Sequence, residues 1–109
     1  MNIVIENKKE KYYLNCNNII SLEANGRYTE IVLEYDKRVF CKNLAEFEKI
    51  LPACFLRIHH SHIVNYHNIK FRLNDIIIMK NNEKFKISRR KKNEIDKKME
   101  KLIQNSNFN

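Results

Sequence analysis

Three histidines, an arginine, a serine and an asparagine crowd into one short segment, Phe55-Leu56-Arg57-Ile58-His59-His60-Ser61-His62-Ile63-Val64-Asn65. Phe55, Ile58, Ile63 and Val64 give it the apolar content of buried β-structure. A strand needs its apolar residues on one face at period two. Polar side chains in such a setting cost stability unless they are paired or exposed. Their number here points to a polar ligand. A second polar cluster, Ser88-Arg89-Arg90-Lys91-Lys92, follows later in the chain.

Three chemistries compete for these residues. His59, His60, His62 and His67 invite a metal, since His60 and His62 would share one face of a strand and chelate. Zinc needs three or four converging ligands, each histidine backed by an acceptor. Cys16, Cys41 and Cys54 form no CxxC pair, so neither a metal nor any other cofactor is expected. Catalysis fares no better. One glycine in the chain leaves no nucleophile elbow and no phosphate-cradling loop, so the expectation is a non-enzyme without a small-molecule substrate.

Nucleic acid fits best. The net charge is +8. Residues 1–54 hold eight Lys/Arg against eight Asp/Glu, whereas residues 55–109 hold thirteen against five and carry the whole excess. A one-sided positive field attracts polyanions. Arg57, His60, Arg89, Arg90 and Lys91 offer phosphate donors, and paired donors on Arg or Asn can read base edges. Ser88 can cap a helix carrying Arg89 and Arg90 in its first turn. Two cations gain nothing from the helix dipole there, so their placement makes sense if an anion docks. Tyr12, Tyr13, Tyr28 and Tyr35 lie in apolar alternation and read as packing residues, with Tyr28 the one beside a turn. That argues against a stacking platform for single strands.

The elements that must position these residues are mostly strands. The length suits one domain over 1–109. Asn18–Ala24 and Arg27–Tyr35 alternate around Asn25-Gly26, a hairpin signal. Asp36-Lys37 turns the chain into Val39–Cys41. Asn43 with Glu46 makes a capping box for a short helix over about 43–51, with Leu44, Phe47, Ile50 and Leu51 on one side and Pro52 as its stop. Asn68–Arg72, Asp75–Lys80 and Phe85–Ile87 read as further strands. Ile95, Met99, Leu102 and Ile103 make the stripe of a C-terminal helix, and 104–109 reads as a frayed polar tail. No internal repeat stands out. The longest apolar run, Ile76–Met79, is too short for a membrane span. The N-terminus lacks the order of a secretory signal, so a cytoplasmic protein with no membrane partner is expected.

In this order the features resemble the LytTR domain, the DNA-binding output domain of LytR/AgrA-type bacterial response regulators in two-component systems. The matching pieces are Ile20-Ser21-Leu22-Glu23-Ala24-Asn25-Gly26-Arg27-Tyr28, Asn43-Leu44, Leu51-Pro52, the segment Phe55–Asn65, Ile69, and Ile87-Ser88-Arg89-Arg90. The resemblance covers roughly residues 8–103. It implies a mostly β fold of small stacked antiparallel sheets, with one short internal helix and a C-terminal helix. It also implies sequence-specific binding of double-stranded DNA for transcription regulation. Loops would enter successive major grooves of direct repeats in promoters, with two copies pairing as a homodimer on DNA. The base-reading positions fall on Arg27 or Tyr28, on His60 and on Arg89. His60 departs from the Arg or Asn of many members. The phosphate and backbone set is Arg57, Ser61, Asn65, Lys86, Ser88, Arg90, Lys91 and Lys92, of which Lys86, Lys91 and Lys92 rest on charge alone. The alternative is a protein-interaction or regulatory module of the same fold that does not read DNA.

Overall fold

Apolar residues in the middle of the chain fall on both faces of one sheet, and the rest of the protein exists to cover them. The protein is represented by a computed structural model that describes residues 1–107, with side chains to residue 105. The central sheet is built from β3 (Ile19–Asn25), β4 (Tyr28–Leu33), β5 (Lys37–Phe40), β6 (Phe55–His59) and β7 (His62–Asn65). It is antiparallel throughout, in the order β5-β4-β3-β7-β6. A bulge on β3 between Ile19 and Ser21 resets its alternation. Ile19 and Leu22 therefore join one core with Ile31, Phe55 and Ile63, while Ile20 joins the other with Val32, Leu56, Ile58 and Val64. Each such side chain, fully buried, contributes about 1.5–3 kcal/mol.

The first core is closed by an N-terminal hairpin, β1 (Asn2–Glu6) with β2 (Lys11–Asn15), and by helix α1 (Leu44–Glu48). Sequence reading missed the hairpin. Its turn signal is Asn7, whose Oδ1 accepts from the N–H groups of Lys9 and Glu10, the local bonding that makes Asn a turn residue. The capping box on α1 is present in both directions. The helix stops short of residue 51: Ile50 N donates to Phe47 O in a tightened i→i−3 turn, and Pro52 follows. Ile50 consequently lies exposed, off the apolar stripe.

The second core is closed by a three-stranded antiparallel sheet and by α2 (Lys92–Asn107). That sheet is β8 (Ile69–Leu73), β9 (Ile76–Met79) and β10 (Lys84–Lys86), ordered β10-β9-β8. Ile95 and Met99 bury the helix, but Ile103 is exposed. Arg72, a residue sequence reading did not single out, ties α2 down. It pairs with Asp96 at 2.6 Å and donates to Asn74 O. The tail expected from residue 104 is helical as far as Asn107, and 108–109 lie outside the described residues. The small stacked sheets with two helices agree with the expected fold.

The two cores are joined by a turn that occurs twice. Asn15-Cys16-Asn17-Asn18 and Asn65-Tyr66-His67-Asn68 each form a short 3-10 turn, and each opens with an Asn side chain accepting from the N–H two residues on. The second turn clasps the first. Asn65 Nδ2 donates to Cys16 O and Ile19 O, and Asn68 Nδ2 donates to Asn17 O and Ile19 O. Asn65 is 1% exposed. Replacing it with Ala removes three bonds, its two to the Cys16 and Ile19 carbonyls, which each keep one other donor, and the one that accepts from the His67 N–H. We expect Asn65→Ala to lose about 1.5–4.5 kcal/mol of stability in urea unfolding, given about 0.5–1.5 kcal/mol for each of the three hydrogen bonds removed. A loss below about 0.5 kcal/mol, within the range of an ordinary surface change, would contradict this role.

Candidate nucleic-acid interface

The polar segment is not one strand but a hairpin. β6 and β7 fold back on each other with His59 opposite His62, leaving His60 and Ser61 as a two-residue turn. Neither turn residue needs a positive φ, so neither Gly nor Asn marks the reversal in the sequence. The β3–β4 hairpin turns through Gly26 and Arg27, with Asn25 opposite Tyr28. Gly26 has φ +61° and Asn25 stays in the strand. Positive φ at the first central residue alone is the pattern of a II′ turn, so the hairpin expected at Asn25-Gly26 forms with Gly26 and Arg27 at its centre.

β3 runs antiparallel to both neighbours, so both turns leave the same end of the sheet. A backbone bond joins them, Ala24 N to Ser61 O at 2.9 Å. Another brings in the third segment, Ser88 N to Ile58 O at 2.8 Å. Arg27, Tyr28, His60, Ser61, Ser88 and Arg89 are thus gathered at one edge from three separate stretches of chain. Lys86, Arg89 and Lys92 line a cleft of about 390 Å³ there with His59, Asp75 and Ser88. Among the described residues, no hydrogen bond or ion pair engages the side chains of Arg27, Arg89, Arg90, Lys91 or Lys92. Lys86 is 3.9 Å from Asp75.

Two expected contact residues are corrected. Asn65 is buried at the opposite end of β7 with its amide committed to backbone carbonyls, so it cannot reach a ligand. Arg57 is spent on holding the turn. Its Nε donates to His59 O at 3.2 Å, its Nη2 to His60 O at 2.6 Å, and its Nη1 pairs with Glu48 of α1. The planar fork of Arg suits such multiple bonding. Ser88 precedes a 3-10 turn, Arg89–Lys91, not the α-helix itself, and its hydroxyl makes no cap bond. The two arginines therefore project from a tight turn ahead of α2. The tyrosines differ too. Tyr28 is 49% exposed at the edge, and Tyr12, Tyr13 and Tyr35 are also exposed, the last almost fully.

The rings of His59, His60 and His62 lie close together at tilted angles. Ring centroids of His59 lie 4.3 Å from His60 and 5.3 Å from His62. No group of three or more His, Cys, Asp or Glu among the described residues is arranged to hold a metal ion. His67 sits on the second 3-10 turn, beyond the far end of β7. His59 Nδ1 accepts from Ser61 N–H at 3.1 Å, which fixes its neutral tautomer with the proton on Nε2. Burial, then the charges of His60 and Arg57, hold His59 below the ordinary histidine value. Burial, then His59 and His60, do the same for His62. Glu23 lies 3.9 Å from His62 Nε2, too far for a hydrogen bond. Its own carboxyl is pushed up by burial and by Glu83 and Glu30. Sequence reading missed Glu23, Glu48 and Asp75 at this edge, because only folding brings these acids beside the basic loops.

Comparison with protein families matches residues 9–100 to the LytTr DNA-binding domain. Among solved structures, the chain is similar to the LytTr DNA-binding domain of a putative methyl-accepting/DNA response regulator from Bacillus cereus. Identity is 25% and the TM-score 0.77, covering 90% of this chain and 95% of that one. Comparison with curated proteins gives no match. No helix among the described residues is long and apolar enough to cross a membrane.

Both His59 and His62 resist protonation in the fold, so the folded state binds fewer protons than the unfolded chain below the ordinary histidine value near 6.5. Stability is therefore full above that value and is lost as pH falls toward the depressed folded values. We expect the urea midpoint to drop between about pH 7.5 and 5.5, and the double variant His59→Asn, His62→Gln to flatten that dependence. An equally steep slope in the variant would place its origin elsewhere.

Proposed function

The chain belongs to the LytTR family of DNA-binding domains, and from that premise we propose that it reads a specific double-stranded site. The family binds DNA in transcription regulation and is not a catalytic one. The finer reading is that the Gly26–Tyr28 turn, the His60-Ser61 turn and the Ser88–Lys92 segment enter successive major grooves of a site built from direct repeats. Two copies would occupy the repeats side by side. The cell compartment that goes with this is the bacterial cytoplasm. By the likeness to the Bacillus cereus response regulator, the chain would serve as the output domain of a two-component system.

One observation carries this reading. Three segments distant in sequence are fixed to one another by backbone bonds at a single edge, and that edge bears cationic side chains with no partner among the described residues. Base reading falls to Arg27 or Tyr28, His60 and Arg89. His60 presents one ring nitrogen to a base edge, whereas Arg89 can engage guanine with two donors. Ser61, Lys86, Ser88, Arg90, Lys91 and Lys92 supply phosphate contacts. Arg57 and Asn65 act at one remove, by holding the turn and the sheet.

Selection from a random duplex pool at about 150 mM salt tests the reading. An enriched motif, above all a spaced direct repeat, is expected. Binding without enrichment that vanishes as salt rises would leave only non-specific charge. At the selected site, Arg89→Ala is expected to cost about 1–3 kcal/mol and relax one base position. Equal losses on cognate and scrambled DNA would remove Arg89 from the base readers. Lys92→Ala is expected to weaken all sequences alike and lower the salt slope by about one. An unchanged slope would remove it from the phosphate set.

A further inference from the structure

The C-terminal sheet has a second face, and it is apolar. Its inner side packs Ile77, Met79 and Phe85 into the second core. Its outer side presents Phe71 and Leu73 from β8, 52% and 65% exposed, beside Ile76 and Ile78 of β9. These four line a shallow cleft of about 410 Å³ together with Lys70 and Lys84. Alternation explains the inner residues but not the outer ones. An exposed sheet face ordinarily carries polar residues, and a contiguous apolar patch with a polar rim marks an interaction surface.

The rim selects the partner. Lys70 is exposed and engages only the neutral Asn82 side chain, at 3.1 Å, among the described residues. Lys84 is exposed opposite Ile78 and carries no ion pair among them. No acid lines the cleft. A second copy of this chain would set a lysine rim against a lysine rim. Duplex DNA offers charge for the lysines but nothing for Phe71 and Leu73. We propose that this face docks an acidic amphipathic segment of another protein, aliphatic side chains on the floor and carboxylates against Lys70 and Lys84. Leu73 and Ile76 flank the Asn74-Asp75 turn, and Asp75 also lines the cleft that holds Arg89. The partner would therefore sit beside the edge assigned to DNA, on a different surface. The inference is independent of the DNA reading, since it rests on the outer face alone.

The probe is a synthetic amphipathic helix with leucine on one face and glutamate on the other, titrated into isotope-labelled protein and followed by amide NMR shifts. Expected are saturable shifts centred on residues 70–78 and 84, and a dissociation constant at least about tenfold weaker, or 1.4 kcal/mol, for Phe71→Ser, Leu73→Ser. The same peptide with lysine in place of glutamate is expected not to bind. Both replaced residues are exposed, so the variant's spectrum should otherwise match the parent. If it does not, Lys70→Glu, Lys84→Glu provides the same test through the rim. Four results would overturn the proposal: shifts centred elsewhere, equal binding of acidic and basic peptides, concentration-dependent self-association through the patch, or partition onto anionic vesicles that Phe71→Ser, Leu73→Ser abolishes.

Discussion

The pairing of β3 with β7 is the contact on which the binding edge depends. These strands are far apart in sequence, and each carries one hairpin. Setting Glu23 opposite His62 brings the Gly26-Arg27 turn and the His60-Ser61 turn to one end of the sheet. At the other end, the Asn65 and Asn68 amides clasp the carbonyls of the first 3-10 turn. Register matters because a one-residue slip would exchange the buried faces of a strand. Here both faces are buried, so a slip would mismatch both cores at once. The clasp removes that freedom using buried, satisfied polar groups, which specify one arrangement where apolar contacts alone tolerate several.

Much of this was legible from residue order. Alternation located β3 to β5, the Asn43–Glu46 box located α1, and the basic second half pointed to a polyanionic partner. The failures have physical causes. The His60-Ser61 reversal uses ordinary backbone angles, so no Gly, Pro or Asn announces it. The bulge at Ile20 shifts strand parity without a sequence mark. Asn65 and Arg57 are polar residues in a polar cluster, and sequence cannot separate a side chain that meets a ligand from one that meets its own backbone. Only partners distant in sequence, Cys16 and Ile19 for one and Glu48 for the other, make that distinction. Tyr13 and Tyr35 show the converse: alternation suggested burial, but the hairpin and the β4–β5 turn leave those faces uncovered.

The electrostatics of the edge follow from the same geometry. His59 packs against both His60 and His62, so charges on these rings would repel, and burial adds to that cost. The fold keeps His59 neutral, and neutrality lets its Nδ1 accept from Ser61 and hold the turn. Charge at the edge then comes from Arg and Lys on the rim, whose field is screened by salt. On the proposed reading, the diffuse cations would attract DNA and the fixed turns would discriminate its sequence.

The central claim is that the three tethered segments form the DNA contact surface. Titrating a selected duplex into isotope-labelled protein and mapping amide shifts and line broadening tests it most directly. The account predicts changes concentrated at Gly26–Tyr28, His60-Ser61 and Ser88–Lys92, with the N-terminal hairpin and α1 unaffected. Changes centred on α1, on the N-terminal hairpin or on the outer face of the C-terminal sheet, with those three segments silent, would contradict it.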